Sequence, residues 1–337
     1  MSVDALLVGG SGFMGRHVAR RLLAAGHRVA VLSRGRREPI AGVEALTADR
    51  MDAAAMDSAL QGRRYDLTVD FGVFDAPDLA WLTRVPAASL GRFIMISTGQ
   101  VYLVGTGAVA PYVESDASRE PMPEPARGSN DHREWSYGMG KRRAESALRG
   151  LRSRGLASVA LRLPIVQGEG DGSLRLWAWL ERMLDGGPLV LPDGGRRPVR
   201  FLDVADLAEA IARIAVARAL AHDAYNLAQP DVVSLRDFIE RVARAAATDV
   251  RFVEASWEDC RAAGLEDSFL PYAGKWSSVM DPARAVAEMG IAGTPSRTHV
   301  PRIVHAHLEH RPARSHPGYV FRPRELELAA RLMAAGR

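Results

Sequence analysis

Short apolar runs and amphipathic stretches alternate along the first 165 residues. The apolar runs are Ala5–Val8, Arg28–Leu32, Val43–Leu46, Leu67–Phe71, Phe93–Ile96 and Ser158–Leu161. Near-continuous runs of this kind suit parallel strands covered on both faces. Between them, Met14–Ala25 carries Val18, Leu22 and Leu23 at helical spacing, and Glu134–Leu151 reads as a second helix. Regular strand–helix alternation predicts an α/β fold with a doubly wound parallel sheet.

The texture changes after Pro164. Gly168–Gly172 and Asp193–Gly195 are loop signals. Leu174–Leu184 reads as a helix with Trp177 and Trp179, Val204–Ala219 as an amphipathic helix, and Ala224–Leu227 as a short strand. Ser234 is placed to cap a helix running to about Ala247, and Glu325–Ala335 closes the chain as another. The pattern predicts a nucleotide lobe over 1–165, rejoined by about 199–228. A smaller, mostly helical substrate lobe is predicted over 166–198 and 229–337.

Composition excludes several classes. No apolar run is long enough to span a membrane. The start of the chain lacks the basic, apolar and small-residue sequence of a secretory signal. The single cysteine, Cys260, permits no internal disulfide and suits a reducing, cytoplasmic setting; it reads as buried rather than reactive. Net charge is +4, but both signs are mixed along the chain, which argues for a solvated surface over a nucleic-acid face. Of 44 basic residues only Lys141 and Lys275 are lysines. A lysine kept in so arginine-rich a chain points to a place where a titratable ammonium is needed. Lys141 sits in a motif; for Lys275 chance retention is an equal account.

Gly9-Gly10-Ser11-Gly12-Phe13-Met14-Gly15 links the first strand to the first helix. Glycines let the backbone turn tightly and approach a pyrophosphate, and the helix start offers unpaired N–H groups and its positive dipole end. In this strand–turn–helix context the motif predicts a Rossmann-type dinucleotide site contacted by Gly9, Ser11, Gly12, Phe13, Met14 and Gly15. The second strand ends Ser33-Arg34-Gly35-Arg36-Arg37. The carboxylate that would take the ribose hydroxyls of NAD is missing. Three arginines sit where a 2′-phosphate would lie, and their forks match it, so Ser33, Arg34 and Arg36, with Arg37 beside them, favour NADP(H) over NAD(H). Asp49 has two readings, an acceptor for the adenine amino group or a cap for a helix over Met51–Leu60.

Tyr137 and Lys141 stand at i and i+4, on one helical face. A free tyrosine, with a pKa of about 10, is a poor base at neutral pH. A nearby ammonium favours the phenolate, so Tyr137 can move a proton on a substrate oxygen while Lys141 holds it and the cofactor ribose. Ser97-Thr98-Gly99-Gln100-Val101-Tyr102 follows a strand end, where ligands bind in such sheets. The Thr98 hydroxyl is the candidate ligand of the reacting oxygen. No His/Cys/Asp cluster has metal-ligand spacing, so no metal is expected.

These motifs, with Leu161–Gly168, Phe201–Ala208 and Tyr225-Asn226-Leu227, resemble the extended short-chain dehydrogenase/reductases of the NAD-dependent epimerase/dehydratase superfamily, over residues 3 to about 245. The resemblance implies Tyr137 as acid/base, Lys141 as its electrostatic and ribose partner and Thr98 as substrate-oxygen ligand. It also implies cofactor contacts from Phe71 and Gly72 and from Pro164 to Val166, and suggests a homodimer. Dehydratases of that superfamily carry Asp-Glu directly after the threonine; Gly99 and Gln100 stand there, so dehydration is not expected. Gln100 and Arg200 are candidate substrate contacts, with Arg196 and Arg197 beside Arg200. His132, Arg133 and Glu134 read as the exposed first turn of the catalytic helix. Two tryptophans two apart on a helix cannot share a face, so at least one of Trp177 and Trp179 packs.

The expected function is NAD(P)-dependent hydride exchange at a carbinol or ketone carbon of a small, polar substrate of sugar-nucleotide or secondary-metabolite size, as a reductase or an epimerase. The Ser33–Arg36 ending also resembles a branch that includes plant chloroplast relatives proposed to act on RNA. The alternative is therefore a non-catalytic nucleotide fold, as an RNA-associated scaffold or an NADP(H)-sensing regulator. The complete Thr98, Tyr137 and Lys141 set argues for the enzyme.

Overall fold

A computed structural model describes residues 2–217, 219–265 and 269–336. Arg218, within the helix expected over Val204–Ala219, lies outside the described residues; that helix runs Val204–Val216. The chain divides into two compact units. The first comprises Met1–Val166, Leu202–Ala228 and Met280–Gly293; the second Gln167–Phe201, Gln229–Val279 and Thr294–Arg337. The return of 280–293 to the first unit has no counterpart in the sequence reading.

The first unit is built on β1 (Asp4–Val8), β2 (Arg28–Ser33), β3 (Glu44–Thr47), β4 (Leu67–Asp70), β5 (Arg92–Thr98) and β6 (Ser158–Leu163), with Ala224–Asn226 as the last strand. Across the sheet their order is β3, β2, β1, β4, β5, β6, then Ala224–Asn226, and every pair is parallel. This is a Rossmann-type sheet. The order reverses between β1 and β4, which opens the ligand crevice of such folds at their carboxyl ends. Val8 pairs with both Leu32 and Asp70, so β1, β2 and β4 deliver their loops side by side.

Two cores follow from strand alternation. Leu7, Val69, Ile94 and Leu161 point to one face, where Val18 and Leu22 of α1 (Phe13–Ala24) and Leu207 and Ile211 of the helix Val204–Val216 cover them. Leu6, Leu32, Phe93 and Met95 point to the other, against Met56 of α2 (Ala53–Leu60), Trp81 and Leu148 of the long helix that follows. Burial on both faces is why the strands read as continuous apolar runs.

In the second unit, helices Arg175–Leu184, Leu235–Ala245, Ser296–Glu309 and Arg322–Ala334 accompany two small strand pairs, Leu189–Pro192 with Phe252–Ala255 and Pro198–Val199 with Val233–Ser234. Ser234 caps its helix through a reciprocal capping box with Asp237. Among the described residues no helix is long and apolar enough to cross a membrane.

Candidate active site

The glycine turn lies between β1 and α1, as its spacing predicts. A Cβ at Gly15 would fall 2.3 Å from the Gly10 carbonyl oxygen, so only glycine lets α1 start this close to the turn. Helix α1 follows Gly12, which offers it no side-chain cap, and has no acidic residue in its first turn. Its N–H groups and dipole are thus presented to an anion. Arg16 Nε and Arg37 donate to the Ser11 carbonyl at 3.2 and 3.3 Å. A Cβ at Gly12 would lie 3.0 Å from the Arg37 guanidinium. Of the three arginines after β2 the one that reaches the turn is Arg37, while Arg34 and Arg36 are exposed on the loop before it and the Ser33 hydroxyl accepts from Gly35 N at 3.3 Å. This uncapped cradle with its guanidinium fits a dinucleotide phosphate.

The catalytic candidates lie on α3 (Gln100–Leu103), α4 (Asn130–Arg152) and the end of β5. Helix α4 starts earlier than its apolar pattern suggests, at Asn130, because the Ser129 hydroxyl accepts from His132 N at 3.0 Å. Tyr137-Gly138-Met139-Gly140-Lys141 explains how the helix approaches the sheet end. A Cβ at Gly138 would meet the Gln100 carbonyl at 2.9 Å, and one at Gly140 the Phe74 carbonyl at 2.6 Å. The two glycines let α4 press on α3 and on the loop after β4. Tyr137 is then left 36% exposed while Lys141 is buried. The Lys141 ammonium lies 5.8 Å from the Tyr137 ring centroid and 5.5 Å from that of Phe74.

Lys141 Nζ donates to the carbonyl oxygens of Ile96, at 2.9 Å, and Val73. Burial pushes its pKa down to about 8, against the pull of Asp70, Glu145 and Asp78. The Thr98 Oγ1 accepts from Gln100 N at 3.2 Å, a bond that does not use its own O–H. Gln100 is buried, and its amide donates to the Glu134 carboxylate at 2.6 Å. Glu134 is thus half-buried against Gln100 rather than left on an exposed first turn. His132 pairs with Glu124 at 3.1 Å, and Arg133 is exposed.

Other expected residues fall as follows. Asp49 Oδ1 accepts from Met51 N at 3.1 Å in a tight turn, and it is Asp52 that caps α2, through Ala54 N and Ala55 N. The cap reading of Asp49 is thereby corrected: the helix starts at Ala53. Phe71 and Gly72 follow β4; Pro164 and Val166 are buried just past β6. In the second unit, Arg200 is buried and donates to the carbonyls of Gln229 and Pro230 at 2.7 Å. Trp177 and Trp179 are both buried, Cys260 is buried with its thiol pushed up to about 12, and Lys275 lies 5.5 Å from the Trp276 ring centroid. Among the described residues no group of three or more His, Cys, Asp or Glu could hold a metal ion.

Sequence reasoning missed one pair. Arg50 forks onto Asp70, with bonds of 3.0 and 2.9 Å, at the end of β4. A carboxylate closing an apolar strand was the available signal.

The profile of the NAD dependent epimerase/dehydratase family matches residues 5–228. The chain is 29% identical to the 2′-dehydrokanamycin reductase of Streptomyces kanamyceticus over 290 residues, which is 83% of this chain and 77% of that protein. An epimerase of Methanothermobacter thermautotrophicus superposes with a TM-score of 0.70 at 15% identity, covering 91% of this chain and 93% of its own. A dTDP-glucose 4,6-dehydratase of Streptomyces venezuelae, solved with NAD and TYD, gives 0.67 at 21%, covering 91% and 98%. At those identities the solved structures speak for the fold. The match over most of the chain establishes the rest: the protein belongs to the NAD-dependent epimerase/dehydratase family, whose members are NAD-dependent enzymes of the extended short-chain dehydrogenase/reductase type.

Proposed function

We propose that the protein is an NADP(H)-dependent reductase of a ketone on a sugar or sugar-bearing metabolite. The observation that carries this reading is the exposed Tyr137 phenol standing beside the buried ammonium of Lys141, with the Thr98 hydroxyl presented at the adjoining strand end. Gly9–Gly15 and the uncapped start of α1 would hold the cofactor phosphates, with Arg37, Arg34 and Arg36 toward a 2′-phosphate. Phe71, Gly72, Pro164 and Val166 would line its path. When bound, the nicotinamide supplies or accepts the hydride.

The chain's own residues handle the proton. Thr98 holds the carbonyl oxygen by donating to it. Tyr137 gives its phenolic proton to that oxygen as the carbon is reduced, and the Lys141 charge stabilises the phenolate left behind. Gly99 and Gln100 carry no titratable group, which argues against dehydration. The 29% identity to a reductase favours net reduction over epimerisation.

Calorimetric titration with NADPH and NADH, on wild type and Tyr137→Phe, tests the assignment. NADPH binds more tightly than NADH to both proteins. The variant loses turnover of a ketosugar by about a hundredfold or more. Turnover that survives in Tyr137→Phe overturns the acid/base role, and NADH binding as tight as NADPH overturns the arginine clamp.

A further inference from the structure

The segment after β4 is held at both ends by charged side chains. At one end Asp70 accepts from Gly72 N at 2.9 Å and from both prongs of Arg50. At the other end Lys141 donates to the Val73 carbonyl. Arg50 also fills the gap between the loops of β1 and β4. A Cβ at Gly72 would sit 2.6 Å from its guanidinium, and one at Gly9 3.8 Å. The Asp70 side chain is wholly buried and that of Arg50 14% exposed. Desolvating two ions is costly, and a buried pair of this kind is weak evidence of added stability. Its place, next to the catalytic lysine and the glycine turn, suggests another use.

The two hydrogen bonds of the Lys141 ammonium go to neutral carbonyls. Four charged groups act on it: Asp70 from β4, Asp78 from the turn Ala76–Thr83, Glu145 from α4 itself, and Arg50, the one cation, from the loop after β3. Glu145 is shared with Arg162, and Asp78 accepts from Phe74 N and Asp75 N. Asp70 acts on Lys141 most strongly of the four. Burial pushes the Asp70 carboxyl up, and the Arg50 fork, Gly72 N and Lys141 oppose that rise.

We infer that Arg50 and Asp70 are a positioning pair, holding the loop Phe71–Val73 in place and keeping the Lys141 ammonium charged for its work beside Tyr137. The inference rests on the role given to Lys141 above. Arg50 keeps Asp70 ionised, and Asp70 compensates the ammonium for the water it has lost. Without Asp70 the ammonium would keep only the weaker pull of Glu145 and Asp78 against its burial and would release its proton nearer neutrality. A neutral amine cannot stabilise the Tyr137 phenolate.

The chain's two lysines make the test direct. Lysine labelled with 13C at Cε gives two resonances, which Lys275→Arg assigns, and each is followed against pH in the cofactor-free protein. In Asp70→Asn the Lys141 midpoint falls by about one pH unit or more, while Lys275 does not move. The double variant Arg50→Met/Asp70→Asn removes both members of the pair together and so keeps the protein folded if the single change does not. It lowers the midpoint in the same direction. A Lys141 midpoint that stays or rises in these variants overturns the inference. The titration needs no turnover, so its failure is distinct from a Tyr137→Phe enzyme that still works.

Discussion

Two cations are buried in the same unit within reach of the same carboxylate, and they respond in opposite directions. Arg162 lies on β6 with its side chain 4% exposed, and it donates to both oxygens of Glu145, at 3.0 and 2.6 Å. It also donates to Tyr102 Oη at 2.9 Å and to the Glu114 carbonyl at 2.8 Å. Burial works against its charge, but Glu145 and Tyr102 outweigh burial and its pKa is raised. Lys141 is 4% exposed and bonded to two carbonyl dipoles, and there burial wins. A fork with a full set of charge-assisted bonds becomes a fixed strut; an ammonium with a compensating field but no direct ion pair stays close to titration. The first arrangement builds structure and the second suits proton chemistry.

The comparison breaks most sharply at Glu145. Glu145→Gln leaves Arg162 buried without its counter-charge, and the Ser97 hydroxyl that bonds Glu145 at 2.6 Å loses a charged acceptor. Stability falls by about 3–5 kcal/mol, read from the urea midpoint. A loss below about 1 kcal/mol, the size of a surface pair, would show that solvent reaches the strut.

Lys141→Met gives a different outcome. It removes a charge that burial disfavours, but also the donor to the Val73 and Ile96 carbonyls. Stability at neutral pH therefore falls by about 1–3 kcal/mol, less than at Glu145, while turnover falls by about a hundredfold or more. The folded pKa, about 8, lies below the unfolded value of 10.5. Between these values the unfolded chain holds a proton that the folded chain has released, so raising the pH favours the folded state. Wild-type stability, measured against Lys141→Met, therefore climbs from pH 8 to 10.5 by about 3 kcal/mol. A flat difference across that window means Lys141 titrates as an exposed lysine does.

Which parts of this site could be read from sequence follows from the range of the interactions. The glycine turn and the Tyr137/Lys141 pair are local patterns, set by one turn or one helix, and both were legible. The Arg50–Asp70 pair was not, because it depends on β1 and β4 being neighbours and on which loops end level with them. Arg34, Arg36 and Arg37 read alike as a phosphate clamp, and nothing singled out Arg37, since a run of arginines does not say how the loop folds back on Ser11. Arg200 looked like an anion ligand, yet its guanidinium bonds two loop carbonyls, as buried backbone acceptors require. The return of Met280–Gly293 to the first unit shares that cause: Asp281 N bonds the Tyr112 carbonyl, a contact no local pattern announces.

The smallest effect tests whether the strut is cooperative. Tyr102 Oη receives the Arg162 bond and donates to Asn226 Oδ1 at 2.6 Å, tying β6 to the last strand of the sheet through a side chain on α3. Burial pushes its phenol up to about 12, so it stays protonated and neutral across the working range. Tyr102→Phe keeps the ring, which stacks on Tyr112 with centroids 5.4 Å apart, and deletes only the hydroxyl. Two bonds are lost, but Arg162 keeps Glu145 and the Glu114 carbonyl, and Asn226 N keeps the Glu114 carboxylate at 2.9 Å. The expected cost is about 1–2 kcal/mol, with no change in cofactor affinity. In a double-mutant cycle with Glu145→Gln, independent bonds give additive losses. A network in which Tyr102 holds the Arg162 fork square to Glu145 gives a combined loss smaller than the sum, because the second change removes bonds the first has already loosened.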